Sequence, residues 1–409
     1  MISRQEFPYL QQLVINDAYA VKNLSIPVFE QGKDFKHLIL TGKNGSGKTT
    51  VLLGIKAQIE ASKIERTTSQ NLMNRYKSWI KSHPQDSRVN GEWAEGIRKL
   101  SIVSTKYYSI SKEATNDIPT ELTEYLFAFY HASRQTRVTS VTSVTREDAI
   151  EKQITDLSNK QNSESLFKQY LVNKKVFQVF DVMEGKSEEA KQQERFFAVF
   201  EKTLANIFED PGTKLEFVRE NFEFYINLSD GRRFTFNQLS AGFSAFLSIL
   251  TELLMRTDLL RKQANDYTYD PCGFVLIDEP ETHLHLEMQY QILPLLTSLF
   301  PNLQFIVATH SPAVASSITG ATVFDLSSGE VLGDTAAGSS FSDLMQTHFG
   351  VENEYSNVAD DIIKDIKRIV KLPDKVHARQ ELLKLLEAKG KYMSAGLRLE
   401  IETQLIGLE

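Results

Sequence analysis

The spacing of apolar residues predicts a change from strands to helices and back along the chain. Near the N-terminus, Tyr9–Val21 is rich in apolar residues and alternates, and Asn23–Phe29 resembles a second strand. His37–Leu40 is a short apolar run that predicts a third strand, and Val51–Ala61 places apolar residues at helical spacing. A glycine-bearing stretch separates these two, so the local order is strand, loop, helix. From about 62 to 207 the pattern is mainly helical. Leu72–Ile80 and Ala149–Gln161 predict amphipathic helices, and Phe196, Val199, Phe200, Leu204 and Ile207 recur at helical spacing. Tyr125–Tyr130 is the exception and reads as a buried strand, while the Ser/Thr-rich Thr136–Thr145 reads as a loop.

Strand patterns return at Leu215–Arg219 and Phe222–Leu228. Ser229-Asp230-Gly231 then predicts a turn, with Arg232–Phe236 as the hairpin partner. A helix over about Ala241–Leu260, a strand at Phe274–Ile277, a helix at Leu286–Phe300 and a strand at Gln304–Ala308 follow. Such alternation predicts an α/β fold, with a mainly parallel sheet covered by helices on both faces. Ser340–Glu409 is charged and helical, with no strand signal. No sustained heptads and no internal repeat occur, which argues against a long coiled-coil arm.

Composition narrows the picture without supplying chemistry. Hydrophobic residues make up 41% and charged residues 24%, values ordinary for a globular chain. The net charge of −7 confines any nucleic-acid contact to a local basic patch. Cys272 is the only cysteine, so no internal disulfide forms, which fits a reducing cytosol. The first residues lack a basic and apolar leader pattern, and Ala245–Met255 is too short and too interrupted to span a bilayer. A cytoplasmic protein with no membrane partner is expected.

Four clusters carry chemistry. Gly42–Thr49 fits G-x-x-x-x-G-K-[ST] without a mismatch. Glycines let backbone amides turn toward phosphate oxygens, the following helix aims its positive end at the same charge, Lys48 reaches the outer phosphates and Thr49 offers a hydroxyl to Mg2+. Phe274–Ile277 ends in Asp278 and Glu279: the first acid suits Mg2+ held through water, the second suits polarising an attacking water. His310, at the end of the strand Gln304–Thr309, is placed to bond a terminal phosphate or hold that water, within the run Ala308-Thr309-His310-Ser311-Pro312. Leu239-Ser240-Ala241-Gly242-Phe243 opens a helix, with Ser240 as N-cap and its neighbouring amides as a second anion site.

On these residues the sequence resembles an ATPase of the ABC superfamily, in its SMC/RecF-like branch. It is similar to the AAA/OLD-like ATPases of bacterial anti-phage systems, such as the ATPase subunit of Septu-type systems. The resemblance implies a P-loop ATPase head with a mixed sheet flanked by helices. It makes Gly42, Lys43, Asn44, Gly45, Ser46, Gly47, Lys48, Thr49 and Thr50 the ATP loop and Asp278–Glu279 the Walker B pair. It also makes Leu239–Phe243 the signature and His310 the switch histidine. Ser240 and Gly242 would then face the γ-phosphate of an ATP held by a second head, and Glu281–Leu284 falls where the family has its D-loop. Gln135 is the best candidate for a further Mg2+ contact, with Arg134 beside it as an alternative phosphate or nucleic-acid contact. The implied organisation is a head from 1–61 and 210–335, a mainly helical insertion or lid at 62–209, and a C-terminal helical region at 336–409.

The expected function is an ATP-driven dimerisation switch in phage defence or DNA repair, with ATP and Mg2+ as ligands and a separate nuclease or toxin as effector. An energising subunit of a transporter is the alternative. The long span between Lys48 and Ser240, Phe243 in the signature and Ser311-Pro312 after the histidine argue against it. An intrinsic nuclease is not expected, because Asp360-Asp361 follow no strand. DNA is a candidate partner through Arg134, Arg137 and Arg146, with Lys174 and Lys175 on a helix. A metal pair at His283 and His285 is disfavoured.

Overall fold

The computed structural model describes residues 2–122, 124–132, 141, 143–155, 163–332, 338, 357–393 and 395–407. The chain divides into two compact units, Met1–Ser339 and Ser340–Glu409.

The first unit is organised by a six-stranded sheet. It contains β3 (His37–Thr41), β6 (Leu126–Tyr130), β10 (Gly273–Asp278), β11 (Leu303–Ala308), β12 (Ala321–Asp325) and β13 (Glu330–Val331), in the order β13-β12-β3-β11-β10-β6. All pairs are parallel except β12–β13, so the sheet is mixed. Every residue of β10 and β11 is buried. That is why both read as unbroken apolar runs: strands covered on both faces have no polar phase. Phe274, Leu276, Ile306, Ala308, Leu38 and Leu40 join the core that also holds residues of α1 (Lys48–Lys63). By strand alternation Val275, Ile277, Phe305 and Val307 face the other way.

A second sheet, β2-β1-β4-β5, shares that core. It is built from β1 (Tyr9–Ala18), β2 (Val21–Pro27), β4 (Val103–Ser109) and β5 (Lys112–Thr115). Residues 103–130, expected inside a mainly helical insertion, thus supply β4, β5 and β6 to the two sheets of this unit. The reason is visible in β4: Val103, Thr105 and Tyr107 are buried while Ser104 and Lys106 are exposed, and the strand pairs with β1 at Ile15↔Val103. The helices of the same stretch are α2 (Ser69–Ser82), α3 (Ser87–Ser101), α4 (Glu147–Thr155), α5 (Ser163–Met183) and α6 (Ser187–Ile207). Thr68 and Asp86 cap α2 and α3 by accepting from Asn71 and Val89 amides. The apolar residues Phe167, Leu171, Phe200 and Leu204 are buried where α5 and α6 pair.

The meander β7 (Lys214–Val218), β8 (Glu223–Asn227) and β9 (Arg233–Thr235) leads to α7 (Ala241–Ala264), which contacts α5 and β6. Lys168 of α5 is almost wholly buried and pairs with Glu223 of β8 at 2.7 Å. The helix α8 (Leu286–Leu299) lies between β10 and β11 in the chain, and the short α9 (Pro312–Ala315) follows β11. No described helix is long and apolar enough to cross a membrane.

The second unit contains helices at Asn357–Val370, Lys375–Lys389 and Ala395–Gly407. They bury a core of their own, with Ile362, Ile366, Leu382, Leu397 and Ile401 at its centre. The first helix reads i, i+4, i+7 in Ile362, Ile366 and Ile369, the spacing of one apolar stripe.

Candidate active site

β3 runs directly into the glycine loop. Gly47 has φ 95°, and a Cβ there would stand 2.7 Å from the Ala18 carbonyl oxygen at the end of β1. Only glycine satisfies both the left-handed backbone and this approach. α1 then starts at Lys48 with no acidic residue in its first turn, leaving its amide end uncompensated. Lys43, Asn44 and Gly45 are exposed, Ser46 is buried, Thr49 is exposed and Thr50 partly so. The Lys48 ammonium folds over the loop and donates to Gly42 O at 2.8 Å and Lys43 O at 3.2 Å. Burial lowers its pKa, opposed by the carboxylates of Glu279, Asp278, Glu281 and Asp325. The loop is also tied from outside. Lys43 N–H donates to Ser327 Oγ at 2.8 Å, and Ser327 N–H donates to buried Asp325 at 2.7 Å.

β10 delivers Asp278 to the start of α1. The Thr49 hydroxyl lies 3.1 and 3.0 Å from its two carboxylate oxygens. Burial raises the Asp278 pKa, and the Thr49 hydroxyl opposes that shift. Glu279 turns off the strand line with φ 49°, a left-handed backbone that a β-carbon disfavours. Its N–H still donates to Ala308 O at 2.8 Å. The turn sets its carboxylate 3.9 Å from His310 Nε2, while His310 Nδ1 is 3.5 Å from Lys48 Nζ. Burial, followed by the Lys48 charge, lowers the His310 pKa, and Glu279 opposes this. The imidazole thus stands between the side chains of Lys48 and Glu279. One strand, β11, separates the P-loop strand from β10, and it is β11 that ends beside His310.

Lys48, Thr49, Asp278, Glu279 and His310 are thus brought together from three segments, the start of α1 and the ends of β10 and β11. Ser240 and Gly242 sit at the start of α7. Ser240 caps the helix by accepting from Phe243 N–H at 3.5 Å. Gly242 is buried, and a Cβ there would lie 2.2 Å from His283 O. His283 and His285 are exposed on either side of buried Leu284.

Other expected positions fall out differently. Gln135, Arg134 and Arg137 lie outside the described residues. Arg146 pairs with Asp148 at 2.8 Å. Lys174 is no solvent-facing charge: its side chain is largely buried and pairs with Asp258 at 2.7 Å, because α5 packs onto α7 there. Lys175 lies over the Phe197 ring and bonds Gln178. Asp361 is exposed on its helix. Sequence reasoning missed Tyr19, 72% exposed with φ 55° in the β1–β2 turn next to Ala18, and the Asp325–Ser327 latch. The signal for Tyr19 is an aromatic residue at a hairpin tip, where burial cannot explain it.

A family model described as "AAA domain, putative AbiEii toxin, Type IV TA system" matches residues 60–316, more than half of the chain. The chain belongs to this AAA_21 family. The match covers the signature, the Asp278–Glu279 pair and His310, and opens after the glycine loop. The fold of this AAA_21 member is that of a P-loop ATPase, with a mixed sheet flanked by helices and the phosphate loop between β3 and α1. "Retron Ec83 probable ATPase" of Escherichia coli is 39% identical over 93 residues, 23% of this chain and 17% of that protein. "Septu protein PtuA" of Bacillus thuringiensis is 31% identical over 94 residues, 23% of this chain and 24% of that one. The chain therefore aligns with under a quarter of the length of either relative. A solved SMC head bound to the C-winged helix domain of ScpA matches with a TM-score of 0.36 and 14% identity, over 77% of this chain and 94% of that one.

Proposed function

We propose that this protein hydrolyses ATP and uses the nucleotide to switch between separate and paired heads, as the regulatory ATPase of an anti-phage complex. The observation that carries the proposal is the convergence of Lys48, Thr49, Asp278, Glu279 and His310 on the N-terminal end of α1. The phosphates lie in the glycine loop, bound by its amides and by Lys48 once the ammonium swings from Gly42 O and Lys43 O. The adenine stacks on Tyr19, the exposed aromatic residue that follows Ala18, whose carbonyl lies against Gly47. Glu279 accepts the proton of the attacking water, and His310 holds that water or the γ-phosphate in line.

The Thr49 hydroxyl and the Asp278 carboxylate fit Mg2+, since both are hard oxygens that meet within hydrogen-bond distance, and these two residues would hold the ion. When bound there, the ion neutralises charge on the β- and γ-phosphates. Gln135 is retained as a further contact. Ser240 and Gly242 present the amide end of α7 to the ATP of a second head, which makes ATP the bridge between two copies. The names of the retron and Septu relatives support a place in defence. A separate nuclease or toxin then acts as effector, met through the helices of 62–209 or the region 336–409, and the complex works in the cytoplasm. The proposed head comprises 1–61 and 210–335 together with the strands β4, β5 and β6 of the segment between them, and the helices of 62–209 form the lid.

Light scattering on the Glu279→Gln variant tests the switch. Saturating ATP and Mg2+ should double the mass, while the wild-type chain releases phosphate and returns to the smaller form. An unchanged mass with and without ATP overturns the dimerisation reading, and absence of phosphate release by the wild-type chain overturns the enzymatic one.

A further inference from the structure

His310 stands just past the end of the parallel ladder. Its strand β11 pairs with β10 up to Asp278↔Ala308. Thr309 N–H is still held by β3, through Leu40 O at 3.0 Å. The next amide has left the sheet. His310 N–H donates instead to Glu281 Oε1 at 2.6 Å, from the loop that follows β10. One residue further, the Ser311 hydroxyl donates to Gln289 Oε1 at 2.6 Å, and Gln289 Nε2 donates to Leu284 O at 2.8 Å. The segment 309–311 is therefore clamped by the 281–289 stretch. The same stretch is backed by α7, since Gly242 lies against His283 and Leu284.

We propose that Glu281 is a positioning residue for ATP hydrolysis, fixing the backbone at His310 so that its imidazole stays between Lys48 and Glu279. The proposal rests on the hydrolytic reading above. A carboxylate suits the task because a charge-assisted bond to an amide is shorter and stronger than a neutral one. Glu281 lies two residues beyond Glu279, so its carboxylate, and not that of Glu279, reaches the backbone at the neighbouring strand end. Loss of the bond lets the 309–311 segment relax, and a misplacement of the imidazole by about 1 Å is enough to cost a large part of the rate. Because Gly242 and Leu284 belong to the same clamp, displacement of the α7 start by a docking head reaches His310 through this loop.

The test compares Glu281→Ala, Glu281→Ser and Glu281→Gln in the full chain. Either truncation should lower kcat on the order of tenfold or more while KM for ATP stays within about twofold, the signature of a lost transition-state interaction. Glu281→Gln keeps an acceptor oxygen and should recover most of that loss. Amide exchange measured by mass spectrometry over 306–312 should rise in the truncations and not in Glu281→Gln. In a His310→Ala background, adding Glu281→Ala should cost nothing further, since the two act as one unit. Should Glu281→Ala fold poorly, Glu281→Ser serves, because it keeps a hydroxyl in the buried space but cannot reach His310. Wild-type turnover with unaffected truncations overturns this role alone, and so does a full additional loss in the His310→Ala background. Absence of turnover in the wild-type chain overturns the hydrolytic reading and this inference with it.

Discussion

Replacing Gly242 by alanine should destabilise the protein, although alanine is the better helix former. In an exposed helix interior, Gly→Ala gains about 0.5–1 kcal/mol, partly by restricting the unfolded chain. Gly91 in α3 offers that case directly, since it is exposed and a Cβ there meets nothing within 4 Å. At Gly242 the added carbon would lie 2.2 Å from His283 O, 2.8 Å from His283 C and 3.3 Å from Leu284 Cα. All three are backbone atoms, so no rotamer change relieves the overlap. Carbon contacts settle near 3.5–4.0 Å, so α7 and the loop must separate by roughly 1 Å. Forcing a methyl group into such packing costs about 1–3 kcal/mol, and the near-contact with a carbonyl oxygen places it at the upper end. Net of the helix gain, Gly242→Ala should lose about 2 kcal/mol while Gly91→Ala gains up to about 1. Urea unfolding of both variants, extrapolated to water, measures the two signs in one background. A Gly242→Ala chain as stable as Gly91→Ala would show that α7 does not rest on the 283–284 backbone, and the clamp around His310 would lose its support.

Three further outcomes are expected. Burial pushes His37 down to about 4, and its Nδ1 accepts Phe305 N–H at 3.1 Å, so the folded chain holds it neutral. The unfolded chain protonates it near pH 6.5, so its stabilisation is complete above that pH and is lost as pH falls toward 4. The loss amounts to roughly 3 kcal/mol at most. Urea midpoints at several pH values should show it, and His37→Asn should flatten the slope; an equal slope in that variant refutes the assignment. Burial likewise raises the Cys272 thiol to about 11. A thiol reagent at pH 8 should label it only at the rate of chain opening, and rapid stoichiometric labelling of the native chain refutes this. Tyr19→Ala should raise KM for ATP several-fold and Tyr19→Phe should not, because stacking needs the ring and not the hydroxyl; equal KM values in both variants remove Tyr19 from the adenine site.

The parts legible in the sequence share a physical cause. β3, β10 and β11 are covered on both faces, so each appears as an apolar run ending in a polar residue, and the glycine loop and the acid pair mark those ends. β4 was obscured because Val103–Ser109 alternates within a helical stretch and gains its meaning from β1, far away in the chain. β12 is five residues long and contains Thr322 and Asp325, too short and too polar for periodicity to separate it from a loop. Lys174 read as surface charge because local spacing cannot reveal Asp258 on another helix. Glu281 was visible as part of the loop after β10, but its bond to His310 depends on the parallel pairing that sets two strand ends side by side.

The placement of β3 also governs when the phosphate loop can exist. Its neighbours in the sheet are β11 and β12, and its outer tie comes from Asp325 and Ser327. A ribosome that has just made Thr41 must add nearly all of the first unit before the second of those strands emerges. At about 5–20 residues per second that is a wait on the order of 15–60 s. Until β11 is made β3 has two bare edges, and until β12 follows it has one, so the glycine loop lacks the frame that shapes it. A nascent or prematurely terminated chain therefore carries the nucleotide motif without a working site, and leaves an edge of the strand open to other pairings until synthesis reaches β12.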